Sequence, residues 1–383
     1  MPTVWRQLAP ALLDLHTKGP LMTSPSPAPG GAAIVQCPSQ RHVSIYAELS
    51  RTIQDADLLR RRYGFYWTRI VAVIVAFTLV WVAVLVVGNS WWTLIPAAAL
   101  AVVSTQLGFL GHDLAHRQVF VSAGWNAWMA RVLSGLFAGL SYGWWRGKHN
   151  KHHNAPNQEG KDPDIGAGVL AFTPASAAAR TGLAAAFTRR QGWWFFPLLT
   201  LEGVNLHITS VQTLLHSKDL KYRWVELSFI TVRLGGYLAA VFVLLPPGKA
   251  AVFIGVQLAV FGVLLGGSFA PNHKGMPIVA ATMKVDFLRR QVLMSRNVRG
   301  GRLSDFAMGG LNYQIEHHLF PSMPRPNLKR AQPIVRAHCG AHGVAYTETT
   351  LLRSYGIVIR YLNAVGLKHR DPFQCPLIQR YRA

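Results

Sequence analysis

Four long apolar runs, arranged as two pairs, constrain this chain more than any other feature. Ile70 to Val87 carries no charge, and Trp91 to Leu110 follows after the short break Gly88-Asn89-Ser90. The second pair is Trp224 to Leu245 and Ala250 to Ala270, joined by Pro246-Pro247-Gly248-Lys249. Each run is close to the ~20 residues a helix needs to cross ~30 Å of hydrocarbon. Backbone in lipid must satisfy its own hydrogen bonds, so such runs fold as helices. Links this short return the chain to the side it left. The expected architecture is all-α and integral to the membrane, with four transmembrane helices in two hairpins, interfacial helices and a helical cap outside the bilayer.

Charge sets the partners and the orientation. The 39 Lys and Arg against 16 Asp and Glu leave a net charge of +23. Such an excess suits nucleic acid or an anionic membrane face. The apolar runs, with no basic–aromatic repeat, decide for the membrane and against nucleic acid. The two inter-span turns hold a single Lys249, while the other three polar segments hold nearly all the remaining basic residues. The positive-inside rule then puts both termini and all three polar segments in the cytosol, with the inner (plasma) membrane as the expected location. The three cysteines, Cys37, Cys339 and Cys375, include no CxxC, which predicts neither a disulfide framework nor a thiolate metal site.

Three histidine clusters fall in those cytosolic segments. The first is His112-Asp113-Leu114-Ala115-His116, the second His149-Asn150-Lys151-His152-His153, the third Gln314-Ile315-Glu316-His317-His318. His112 and His116 share one helix face, and the three- and four-residue steps among His149, His152 and His153 place at least two of those rings on one face. Neutral imidazole suits iron, zinc, copper and nickel. Seven imidazoles exceed the roughly four ligands that one zinc takes, which favours two metals. Carboxylates are scarce inside the clusters, unlike the Glu and Glu-x-x-His pattern of ferritin-like bundles. Glu316, Asp113, Asp162 and Asp164 are the candidate acceptors for imidazole N–H groups.

HxxxH, HxxHH and QxxHH, in this order between paired apolar spans, resemble the membrane-bound fatty acid desaturases, over roughly residues 60 to 345. The resemblance implies a non-haem di-iron centre that uses O2, with His112, His116, His149, His152, His153, His317 and His318 as iron ligands and no catalytic residue beyond the ligands. It adds His273, just past the fourth run, as a further ligand. Gln314 stands where many relatives have histidine, as in the subgroup that inserts double bonds near the carboxyl end. It is expected to serve the metal directly, through water or from behind a ligand. The implied reaction is insertion of a cis double bond into a fatty acyl-CoA or acyl lipid. Electrons would come from a separate NAD(P)H-dependent flavoprotein reductase, with ferredoxin as a possible intermediary, since the chain has no GxGxxG, no CxxC cluster and no His-Pro-Gly-Gly motif of a fused haem domain. The nearest alternative is a di-iron hydroxylase of alkanes, carotenoids or sphingolipids. A metal transporter would need ionisable residues at mid-bilayer depth, which these runs nearly lack.

The remaining expectations concern organisation. Residues 1–50 read as a disordered Pro- and Gly-containing leader, 51–345 as the desaturase domain and 346–383 as a basic tail. Residues 121–147 read as one interfacial helix, with Gly135 and Gly139 spaced for close helix contact, and with Trp144, Trp145 and the small residues around those glycines as candidate tunnel walls. Trp193 to Leu215 is too polar for a span and reads as an interfacial or partly re-entrant helix. Glu226 and Arg233, inside the third run, need partners. Arg117, Lys148, Lys151, Arg189, Arg190, Arg289, Arg290 and the Arg296–Arg302 cluster read as a basic surface for anionic lipid, an acyl carrier's phosphate or an acidic electron donor. His207, His216, His338 and His342 read as non-ligands.

Overall fold

A computed structural model describes residues 44–368, so the expected leader up to residue 43, Cys37, Cys375 and the last residues of the expected tail lie outside it. Ser44 caps α1 (Ile45–Asp55) by accepting from the Ala47 amide. α2 (Tyr63–Val87) is followed by a turn at Gly88, whose φ of 58° favours glycine, and then by α3 (Leu94–Ala115). α4 (Ala123–Arg131) runs into a π-helical turn (Val132–Ala138), and α5 (Tyr142–Asn154) begins after a break. Two short helices, α6 (Pro174–Ala178) and α7 (Gly182–Thr188), precede α8 (Gln191–His216). The second hairpin is α9 (Arg223–Leu244) and α10 (Pro247–His273). The rest of the cap holds α11 (Phe287–Leu293), β1 (Asn297–Arg299), α12 (Arg302–Ala307), α13 (Gln314–Leu319), α14 (Arg325–Ala341), β2 (Glu348–Thr350) and α15 (Leu351–Lys368).

Among the described residues, four helices are long and apolar enough to cross a membrane: Tyr63–Val87, Trp91–Ala115, Arg223–Leu244 and Pro247–His273. The expected all-α membrane architecture with two hairpins holds. The helices extend past the apolar runs at their histidine-bearing ends, because hydrogen bonding continues after the sequence turns polar. Lys249 Nζ donates to Asn89 Oδ1 at 2.8 Å, so the two hairpin turns meet at one end of the stem. His112 and His273 close α3 and α10 at the other end.

Glu226 and Arg233 of α9 both find partners. Glu226 accepts from Arg131 Nε at 3.1 Å, Ser141 Oγ at 2.7 Å and the Gly143 amide at 2.9 Å. Arg233 donates to the Phe137 carbonyl at 2.7 Å and lies over the Tyr237 ring. α8 is a single unbroken helix that packs on α10 and α15. At its crossing with α10, a Cβ added to Gly262 would stand 2.3 Å from the Leu199 carbonyl, and one on Gly203 2.3 Å from the Leu258 carbonyl. Only glycine allows the two backbones this close.

The structure revises one expectation and adds detail at both ends. Residues 121–147 form two helices, because Gly139, at φ 76°, ends the π-turn in a left-handed conformation. Gly135 does make a close approach, to Phe229. After residue 345, β2 pairs in parallel with β1, and α15 buries Val358, Leu362 and Val365 against α8 and α10. This apolar face keeps residues 346–368 folded against the body. At the other end, residues 44–50 belong to α1, whose Leu49 packs in the cap core. Two strands of three residues are the sole β-ladder among the described residues.

Candidate metal centre

Helix geometry sorts the histidines into two clusters. Successive helical residues point about 100° apart. His149 and His153, one turn apart on α5, therefore point together, while the adjacent His152 points elsewhere. The His317-His318 pair on α13 splits in the same way. The outcome is one cluster of His112, His116, His149, His153 and His317 and another of His152, His273 and His318, with a nitrogen from each ring within 4.8 Å of the others in its cluster. Each adjacent pair supplies one ring to each cluster.

Contacts inside the clusters have the spacing of ligands around an ion. His153 Nε2 lies 3.0 Å from His149 Nε2 and 3.1 Å from His317 Nε2, and His152 Nε2 lies 3.2 Å from His273 Nε2. Two nitrogens about 2.1 Å from one metal and at right angles stand about 3.0 Å apart. The Nε2 atoms of His112, His116 and His318 are buried with no hydrogen-bond partner. Burial, with the neighbouring histidines, holds His116, His149, His153, His317 and His318 well below the usual imidazole range. They are neutral at pH 7, the form that binds metal. A buried set of neutral, partnerless imidazole nitrogens fits a metal centre.

The outward nitrogens of the second cluster are anchored. His152 Nδ1 lies 3.0 Å from both Asp162 oxygens, His273 Nδ1 donates to the Met294 carbonyl at 3.0 Å, and His318 Nδ1 donates to Gln291 Oε1 at 2.9 Å. These bonds fix the tautomer that leaves Nε2 free to face inward. Burial pushes the Asp162 carboxyl up, but its bond to His152 and the charge of Lys274 outweigh that and leave it below the usual carboxylate range. Asp164 lies 3.4 Å from His152 Nδ1 and pairs with Lys148 at 2.9 Å. Asp113 approaches His112 Nδ1 at 3.4 Å and is paired with Arg325 at 2.6 Å.

Glu316 departs from expectation. It accepts from Asn297 Nδ2 and Tyr346 Oη, both at 2.7 Å, and touches no imidazole. Its carboxyl, pushed up to about 7 chiefly by burial, ties α13 to β1 instead. Gln314 does reach the second cluster, with Nε2 2.9 Å from His273 Nε2, while its Oε1 accepts from Asn272 at 3.3 Å. Direct ligation by its oxygen requires a half-turn of the amide. His207 is bonded to the Gly203 and Ala138 carbonyls, His216 to the Gln212 carbonyl and His338 to the Ile45 carbonyl. None of these, nor His342, belongs to a cluster among the described residues. Arg296 was expected on the basic surface but is 1% exposed, and Cys339 is a free buried thiol.

A cavity of about 660 Å³ borders both clusters. His112 and His149 line it from the first and His152 and His273 from the second. Leu140, Leu206, Leu265 and Phe269 are part of its apolar lining, and Lys148, Asp164, Glu202 and Lys274 are its charged lining. Trp144 and Trp145 line it as anticipated, with Ser134 and Ser141 from the small residues around Gly135 and Gly139, and Gly108 and Gly111 of α3 line it as well. The signal for the two glycines was present in the sequence: they sit four residues and one residue before His112, on the helix that carries it.

An all-helical membrane stem with eight histidines gathered beside a largely apolar cavity defines a histidine-rich membrane protein with a candidate metal site. A sequence model of the fatty acid desaturase family matches residues 89–350. The chain belongs to that family. It is 26% identical over 329 residues to a mouse protein named fatty acid desaturase 2-like protein FADS2B, covering 84% of this chain and 66% of that one. It is 31% identical over 280 residues to an acyl-lipid (9-3)-desaturase of Physcomitrium patens, covering 70% of this chain and 53% of that one. A match to fatty acid desaturase 3 of Bos taurus is 28% identical over 336 residues and covers 72% of that protein. The chain thus spans between about half and three quarters of these relatives.

Proposed function

We propose that this protein is an O2-dependent fatty acyl desaturase that carries two iron ions. His112, His116, His149, His153 and His317 would hold one ion. His152, His273 and His318 would hold the other, with Gln314 beside them. The observation that carries this reading is the shared cavity, a largely apolar space bordered by histidines of both clusters. Iron bound there supplies the oxygen chemistry that removes two hydrogens from an unactivated methylene pair, which no side chain can do. The protein's own part is to hold and shield the substrate. Leu140, Leu206, Leu265 and Phe269 offer an extended acyl chain a dry channel past the clusters. Lys148, Asp164 and Lys274 offer polar contacts to its ester or thioester end. Asp162, Met294 and Gln291 hold the second cluster's rings in register.

The names of the relatives, among them acyl-lipid desaturases, support desaturation over hydroxylation. The distribution of Lys and Arg supports a cytosolic site in an inner (plasma) membrane. Electrons would come from a separate donor fed by NAD(P)H. Expression in a host that makes saturated acyl chains, followed by mass-spectrometric mapping of new double bonds, tests the reading. The intact chain is expected to yield one new double-bond position, and His152→Ala none. A hydroxylated product, or the same product from His152→Ala, would overturn it.

A further inference from the structure

Among the described residues, Arg296 is the largest fully buried side chain and has no carboxylate partner. Its partners are backbone carbonyls at the end of α10. Nε donates to the Pro271 carbonyl at 3.0 Å, Nη2 to the same oxygen, and Nη2 also to the Lys274 carbonyl at 3.0 Å. Its own amide donates to the Asn272 carbonyl at 2.8 Å, and Nη1 lies 3.6 Å from the Met276 sulfur. The last four carbonyls of a helix have no partner within it, and a cation at that end also complements the helix dipole.

Every carbonyl around His273 is thereby accounted for. Arg296 and Ser354 take that of Pro271, the Arg296 amide takes Asn272, and Arg296 takes Lys274. The His273 carbonyl accepts from the Met276 amide at 3.1 Å and from Asn157 Nδ2 at 3.1 Å. Met294, two residues before Arg296, holds the His273 ring through Nδ1. Residues 294–296 thus grip His273 by its ring and by the peptide groups on both sides. Of the eight clustered histidines, His273 alone is held in this way.

We infer that Arg296 is a positioning residue for the metal bound by His152, His273 and His318, and not for the metal at the five-histidine cluster. Its planar fork bridges two carbonyls at once, which the point charge of lysine cannot do in the same geometry. The inference rests on the two-iron reading above.

The test is iron bound per chain, with the affinity of each site for Fe²⁺, in the purified full-length protein and in Arg296→Lys, Arg296→Met, His273→Ala and the Arg296→Lys/His273→Ala double variant. The intact protein is expected to hold two irons. Arg296→Lys and Arg296→Met should approach one, with about a 10–100-fold loss at the weakened site. In the His273→Ala background, Arg296→Lys should add no further loss, because the residue acts through His273. Two irons at undiminished affinity in Arg296→Lys, equal loss at both sites, additive losses in the double variant, or failure of Arg296→Lys to fold would each overturn the inference. Fewer than two irons in the intact protein would instead remove the two-iron reading on which it stands.

Discussion

Asp162 holds His152 from behind: both carboxylate oxygens lie 3.0 Å from the imidazole Nδ1, ten residues away in sequence. The same carboxylate accepts from the Asn157 amide at 2.7 Å and the Asp164 amide at 2.9 Å, so the loop after α5 is folded around it. Asp162→Asn keeps the size of the group and removes the charge that steadies the Nδ1 proton. The expected result is about a 10–100-fold loss of metal affinity at the second cluster with the fold retained. Fe²⁺ titration of the apo protein and far-UV circular dichroism measure the two effects separately.

The contact between Gly203 and Gly262 leaves no space for a methyl group. Gly262→Ala would bring a Cβ within 2.3 Å of the Leu199 carbonyl and 2.6 Å of the Gly203 amide nitrogen, forcing α8 from α10. Overpacking of this kind costs about 1–3 kcal/mol. Thermal unfolding in detergent should show the loss. The cavity wall includes residues of both helices, so acyl selectivity should change with it.

Arg131 and Glu226 form an ion pair with side chains 10% and 4% exposed. Truncating one partner leaves the other charge buried and unpaired, which costs about 3–5 kcal/mol. Glu226→Ala is therefore expected to unfold far more easily than the intact chain. The double change Arg131→Met/Glu226→Leu should recover most of that loss, since it removes both charges. A double variant as unstable as Glu226→Ala would show that the Ser141 and Gly143 contacts, and not the pair, carry the stability.

Much of this architecture is legible in the sequence because bilayer thickness and helical pitch each impose a length. The four runs announce spans, and the one-turn spacing of His112 with His116 and of His149 with His153 announces shared faces. The division between clusters also follows from pitch, since neighbouring rings at His152-His153 and at His317-His318 must diverge. What the sequence hides depends on contacts across long separations. A buried Arg296 looks like any surface arginine until the end of α10 is seen against it. Gly203 and Gly262 reveal their role only at the crossing of their helices. Strands of three residues are too short to show alternation, and a left-handed Gly139 resembles any other glycine in a small-residue stripe. Glu316 sits beside His317 and His318 in sequence, yet the turn of α13 aims it at Asn297 and Tyr346.

Iron content tests the central claim most directly. Protein grown on ⁵⁷Fe, purified and examined by elemental analysis and Mössbauer spectroscopy, is expected to hold two irons per chain in nitrogen-rich sites. Preparations depleted of iron should lose double-bond formation in proportion. A chain that forms the double bond with one iron or none, or that holds two irons yet forms none with reductant and oxygen supplied, would contradict the account.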